Sequence, residues 1–173
     1  MPEFSEASPP QGGIDRAVRC IQFVISEEGR LVYNPRDPGG LTKYGISQRA
    51  YPNVDIRALT YDDAAAIYRR DYWNAIRGDA LPPGLDLIVL DCAVNMGQGT
   101  AIKLLQEAAQ VTIDGVLGEK TLAAARQHMP TILHTLCALR GWRYEINKNE
   151  DVFGKGWFNR LFRVFATAWD MRK

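Results

Sequence analysis

The sequence predicts a mainly α-helical protein with one short loop or β-hairpin region near its N-terminus. Three features carry that expectation. Apolar residues recur at three- and four-residue steps through most of the 173-residue chain. Glycine and proline breakers divide the periodic segments into helix-length pieces. One stretch, Arg30 to Ser47, drops the helical period and holds five Pro and Gly residues.

In chain order, Ile14, Ala17, Val18, Ile21, Val24 and Ile25 form one apolar stripe, which predicts a helix over 14–28 that Gly29 stops. Tyr33-Asn34-Pro35, Asp37-Pro38-Gly39-Gly40 and Tyr44-Gly45 then read as turns with room for a short hairpin. Thr60 with Asp63 resembles a capping box, Asp standing in for Glu, and opens a helix over 61–77 that ends at Gly78. Pro82-Pro83-Gly84 breaks the chain. Leu85 to Met96 is apolar almost all round, the mark of a central buried helix, and Gly97 ends it. Further helices are expected over 100–110 and 119–128, on either side of the turn Asp114-Gly115-Val116-Leu117-Gly118. Pro130 suits the first turn of the next helix, which runs to about Asn147. Phe153 to Trp157 reads as a loop before a last helix that runs to about Met171.

With 46% hydrophobic residues, a chain of this length buries a core without staples. That composition excludes wholesale disorder, a collagen-like repeat and a disulfide scaffold. Lys+Arg at 21 against Asp+Glu at 20 gives a net charge of +1, which excludes a strongly basic nucleic-acid binder. Cys20, Cys92 and Cys137 are odd in number, widely spaced and set in apolar segments, so they read as buried reduced thiols. His128 and His134 do not share a helix face, and no zinc site is expected. No apolar run approaches the roughly 20 residues that span a membrane. Met1 to Gly13 lacks a basic n-region and an apolar h-region, and reads as a disordered tail rather than a signal peptide. The near-zero total charge hides an asymmetry. Ala138 to Lys173 holds eight Lys/Arg against four Asp/Glu, with three of the four Trp and four of the six Phe. That segment is either an aromatic core with a solvated basic face or a basic, aromatic surface for an anionic glycan polymer.

Glu28 is the informative residue. It follows Val24 by four positions and Ile25 by three, so it continues the apolar stripe at the helix C-terminus, whereas Glu27 falls off the stripe and is expected to face solvent. Low polarity and the negative end of the helix dipole both disfavour the anion. A carboxyl that keeps its proton near neutrality suits general acid catalysis. The competing reading is a Glu capped by loop N–H groups or paired with an Arg. Asp37 and Thr42 follow in a loop able to fold back on Glu28. Two carboxyls in unequal environments, with a hydroxyl to hold a water, are the minimal set for glycoside hydrolysis.

The run Glu28-Gly29-Arg30-Leu31-Val32-Tyr33-Asn34-Pro35-Arg36-Asp37-Pro38-Gly39-Gly40-Leu41-Thr42-Lys43-Tyr44-Gly45-Ile46-Ser47 closely resembles the signature of glycoside hydrolase family 108. These are lysozyme-like N-acetylmuramidases, many of them phage endolysins. The resemblance continues through Tyr72-Trp73, Leu81-Pro82-Pro83 and Asp91-Cys92-Ala93-Val94-Asn95-Met96-Gly97. Asp114 to Thr121 looks like that family's C-terminal peptidoglycan-binding region.

The resemblance implies a lysozyme-like fold and cleavage of the β-1,4 bond between N-acetylmuramic acid and N-acetylglucosamine. It puts the essential acid at Glu28, with Asp37 and Thr42 completing an acid–acid–hydroxyl set. Lys43 and Tyr44 read as cleft residues or as ordinary loop packing. Asn95, on an apolar helix, is a buried hydrogen-bonded spacer or a glycan contact. Tyr72 and Trp73 read as core, and Asp114 as an Asx-turn residue. Two departures stand out: Arg30 and Leu31 replace the Gly and Tyr usual after Glu-Gly, which touches substrate preference more than the acid. Thr42 also comes one residue sooner after Asp37 than in the wider phage-lysozyme group.

The expected organisation is a tail over 1–13, a lysozyme-like catalytic region over 14–96, and a helical peptidoglycan-binding region over 97–173 packed on it. The expected partner is bacterial peptidoglycan, met by a monomer without metal or cofactor, nucleic acid or stable membrane insertion. The expected setting is a host bacterial cytoplasm, with a holin or a secretion apparatus giving access to the wall. Rival readings are a lytic transglycosylase acting on the same bond, a secreted antibacterial effector muramidase, a zinc amidase or peptidase, and a wall-binding module without catalysis.

Overall fold

A computed structural model describes residues 15–29, 32–33 and 40–173. The expected tail 1–13, Ile14, Arg30, Leu31 and Asp37 lie outside the described residues.

Helix α1, Arg16–Glu28, starts at Asp15, whose side chain accepts the Ala17 N–H at 3.0 Å. It buries Ala17, Cys20, Ile21, Val24 and Ile25 and stops at Gly29, where φ is +79°. The loop that follows carries a small antiparallel sheet of β1 (Val32–Tyr33), β2 (Leu41–Lys43) and β3 (Ile46–Ser47) in that order. Thr42 lies on the central strand, opposite Val32 on one side and Ser47 on the other. Tyr44 and Gly45 form the two-residue turn between β2 and β3, both with positive φ, the twist that a tight hairpin requires.

Helix α2, Tyr61–Tyr68, opens with the capping box: Thr60 Oγ1 accepts the Asp63 N–H at 3.1 Å, and Asp63 Oδ2 accepts the Thr60 N–H at 3.0 Å. The uniform helix expected to 77 is interrupted. Residues Arg69–Trp73 form a π-helical turn, and after a left-handed Arg77 the chain makes a 3₁₀ turn over Gly78–Ala80. The interruption wraps the chain around Trp73. That ring is fully buried, its Nε1 donates to Asp79 at 3.0 Å, and Gly78 lies against its face where a Cβ would not fit.

Helix α3, Leu85–Met96, is the buried centre, and α1, α4 (Gln98–Ala108), α6 (Met129–Glu145) and α7 (Glu150–Asp170) pack on it. The shorter α5, Glu119–Gln127, leans on α6. The loop expected over 153–157 is absent, because α7 is helical from Glu150 onward. Gly154 accommodates the Glu150 side chain, and the Phe153 and Trp157 rings, one turn apart, meet at 5.9 Å. Trp157 also packs on Tyr144 at 5.5 Å, so tertiary contact offsets the two glycines of the segment. Cys20 and Cys92 are buried and Cys137 half-buried, all as free thiols. Burial pushes the Cys92 thiol up to about 11 and Cys137 up to about 12, which keeps both protonated. Among the described residues no helix is long and apolar enough to cross a membrane.

Candidate active site

The C-terminal turn of α1 faces α7. Glu28 ends the apolar stripe with its side chain 21% exposed, and Arg160 Nη1 lies 2.6 Å from its Oε1. Arg160, 11% exposed, reaches past Glu28 to Asp91 on α3, at 2.7 Å through Nη2 and 2.8 Å through Nε. Asp91 is wholly buried and takes a second cation, Arg140, whose Nη2 donates to its Oδ2 at 2.7 Å and to the Tyr144 hydroxyl at 2.9 Å. Burial opposes the Arg160 cation, but Asp91 and Glu28 outweigh it and hold the group above its ordinary range.

The competing sequence reading, a Glu paired with an Arg, is therefore the geometry observed. Glu28 is not an isolated carboxyl in an apolar pocket but the outer end of a chain of charges that runs into the core. The solvent-facing Glu27 is also corrected. Its side chain is 11% exposed and accepts a forked pair of bonds from Arg163 at 2.9 and 2.6 Å. Arg160 and Arg163 are one turn apart on α7, which lies across the end of α1 and covers both glutamates.

The hairpin turn closes on Glu28 from the other side. A Cβ on Gly45 would come within 2.8 Å of Glu28 Cγ and 2.5 Å of the Tyr68 hydroxyl. Tyr68 donates to the Tyr44 carbonyl at 3.0 Å and ties the turn to α2. Burial, and then the Glu28 carboxylate, push the Tyr68 phenol well up, so it stays a neutral donor. Beside the turn, Tyr44 and Tyr61 meet edge to face at 6.0 Å and, with Gln22, Ile25, Ser26 and Gly29, line a cavity of about 340 Å³ at the end of α1.

Glu28 and Tyr44 are thus brought together, with Thr42 two residues before Tyr44 on β2. Lys43 points away: its Nζ donates to the Arg57 carbonyl at 3.1 Å and sits 5.7 Å from the Tyr44 ring. Asp37, the second expected carboxylate, falls outside the described residues. Asn95 is exposed, which overturns its reading as a buried spacer. The last turn of α3 emerges from the core, and Asn95 lines a separate groove with Arg143, Tyr144 and Trp157. Asp114 makes the expected Asx turn, its Oδ1 accepting the Val116 N–H at 2.8 Å.

Arg160, Asp91 and Arg140 escaped the sequence reading. The available signal was Asp91 itself: a carboxylate inside the apolar run Leu85–Cys92 demands a cation from another segment.

Comparison with known proteins fits this geometry. The family model described as Glycosyl hydrolase 108 matches residues 21–97, from the second turn of α1 through α3. Among solved structures, one described as Brucella abortus SagA shares 37% sequence identity and a TM-score of 0.82, covering 91% of this chain and 95% of its own. A comparison with curated proteins finds no match. The mainly α architecture with its small N-terminal sheet is the lysozyme-like fold. The chain belongs to glycosyl hydrolase family 108 and is a peptidoglycan hydrolase.

Proposed function

We propose that the chain is an N-acetylmuramidase that hydrolyses the β-1,4 bond between N-acetylmuramic acid and N-acetylglucosamine. Glu28 protonates the leaving glycosidic oxygen. Asp37 stabilises the oxocarbenium-like transition state or orients the attacking water, and Thr42 helps to hold that water. The observation that carries the reading is the setting of Glu28. Its carboxyl is fixed at the end of α1 between Arg160 and the Tyr44–Gly45 turn, and its neighbours Gly29 and Tyr44, rather than Glu28 itself, line the aromatic cavity. Arg160 Nη1 lies against Oε1 and orients the carboxyl, while Oε2 has no hydrogen-bond partner among the described residues. Tyr44 and Tyr61 offer rings against which a sugar packs.

The region 97–173 serves, in this reading, to hold the wall. Its cavity of about 670 Å³, between the Asp114 turn and the start of α5, is the feature that favours that role, with Ile113 and Val116 exposed on the same loop.

Mass spectrometry of wall fragments released by the purified protein tests the bond and the chemistry together. Hydrolysis leaves a reducing N-acetylmuramic acid end. A transglycosylase leaves an anhydro end lighter by one water, and that product would overturn the hydrolytic mechanism.

A further inference from the structure

The groove that holds Asn95 is aligned with Glu28. Helices α3 and α7 run antiparallel: Gly84 presses on the Ala168 carbonyl, and Asp91 pairs with Arg160. One turn further in the same register, Asn95 and Trp157 both line a groove of about 500 Å³. Trp157 is three residues before Arg160, a displacement of about 4.5 Å along α7. A polymer lying over Glu28 and following α7 past Arg160 therefore enters the groove directly.

Its walls are built for a peptide that bears negative charge. Arg143 is exposed and makes no ion pair among the described residues; its guanidinium lies 6.0 Å from the Trp142 ring. The Asn95 carboxamide and the Thr100 hydroxyl, on the same groove, also have no hydrogen-bond partner among the described residues. In the same lining the Tyr144 ring is fixed by its bond to Arg140 and by its contact with Trp157 at 5.5 Å. Donors and an immobilised aromatic pair in one lining match peptide carbonyls and short aliphatic side chains. The unpaired guanidinium asks for a carboxylate. In peptidoglycan the lactyl carboxyl of the glycan strand is consumed in the amide to the stem, so free carboxylates are carried by the stem peptides.

We propose that this groove is a stem-peptide subsite in which Arg143 pairs with a stem carboxylate while the attached glycan lies over Glu28. The proposal rests on the glycosidase reading given above. It makes Arg143 a specificity-determining residue that registers the strand on Glu28 without touching the scissile bond.

The test compares kcat/KM on wall glycan with intact stems and on the same glycan stripped of stems by an amidase. The ratio between the two substrates should fall about tenfold in Arg143→Gln, the scale of one lost charge-assisted pair in an open groove, and should recover in part in Arg143→Lys. Thermal melting of both variants should match the parent, since Arg143 is exposed. An unchanged ratio in Arg143→Gln overturns the subsite. A parent protein that cleaves neither substrate overturns the glycosidase reading, and the subsite with it.

Discussion

Arg160 on α7 joins Glu28, at the end of α1, by a contact of 2.6 Å between Nη1 and Oε1, and the same guanidinium holds the wholly buried Asp91. One residue thus ties the candidate acid to the core. Among the described residues, replacing Arg160 with Met leaves Asp91 with one cation and Glu28 with none. Removing a partner from a buried pair costs about 3 kcal/mol or more, so chemical denaturation should show a loss of that size. Wall-clearing activity should fall beyond what the unfolded fraction explains. Arg160→Lys keeps the charge but not the fork, and should fall between the two.

Gly45 is the second clamp on Glu28. At φ +75° a Cβ is strained, and here it would also collide with Tyr68 and Glu28. Gly45→Ala should lower stability by roughly 1–3 kcal/mol. Activity should fall more steeply than stability, because relief of the clash shifts the turn, the Tyr68 hydroxyl that ties it to α2, or the Glu28 side chain itself. A variant with wild-type activity would show that the turn does not position the acid.

Asp86 gives the fold a distinct pH signature. It is fully buried; Oδ2 lies 2.6 Å from Arg16 Nε, and Oδ1 accepts from Gly84 and Leu87. Burial wins over these partners and raises the carboxyl from 3.8 to about 6. Between those values the folded chain binds more protons than the unfolded chain. The stabilising contribution is complete below about 4 and is lost as pH rises through about 6. Its full size is about 3 kcal/mol for a two-unit shift. The stability difference between the parent and Asp86→Asn should therefore shrink by about that amount from pH 4 to pH 7. A gap independent of pH would contradict the assignment.

Gln106 organises the loop that the sequence marked as wall-binding. It is buried, donates to Asp114 Oδ1 at 2.6 Å and to the Val116 carbonyl at 3.0 Å, and accepts from the Gly115 N–H at 2.8 Å. Gln106→Ala should cost roughly 2 kcal/mol for the polar groups it strands. If the loop holds the wall, the variant should pellet less with insoluble peptidoglycan while cleaving soluble glycan fragments at the parental rate. Equal pelleting would place wall affinity elsewhere.

Helix positions were legible wherever a breaker sat beside a clear stripe: α1 ends at Gly29 and α3 spans Leu85–Met96 as its composition requires. Legibility failed where tertiary contact overrides local preference. Gly154 and Gly156 argue for a loop, yet packing of Phe153 and Trp157 on each other and on Tyr144 keeps α7 helical. The π turn at Arg69–Trp73, which carries the buried Trp73, interrupts a stretch whose apolar spacing reads as one continuous helix. In the site, Glu28 could be singled out because its anomaly, a carboxyl on an apolar stripe, is local. Its partner could not, since Arg160 and Asp91 come from segments far apart in the chain and only the packing of α7 across α1 and α3 joins them.

The central claim is that Glu28 supplies the proton, and Glu28→Gln tests it most directly. The variant keeps the shape and a donor for its surroundings but cannot ionise or deliver a proton. The rate of fragment release from purified peptidoglycan should fall by about 10²–10⁴, the range of a lost general acid, with the parental circular dichroism spectrum retained. A folded Glu28→Gln that releases the same fragments at the parental rate would contradict the account.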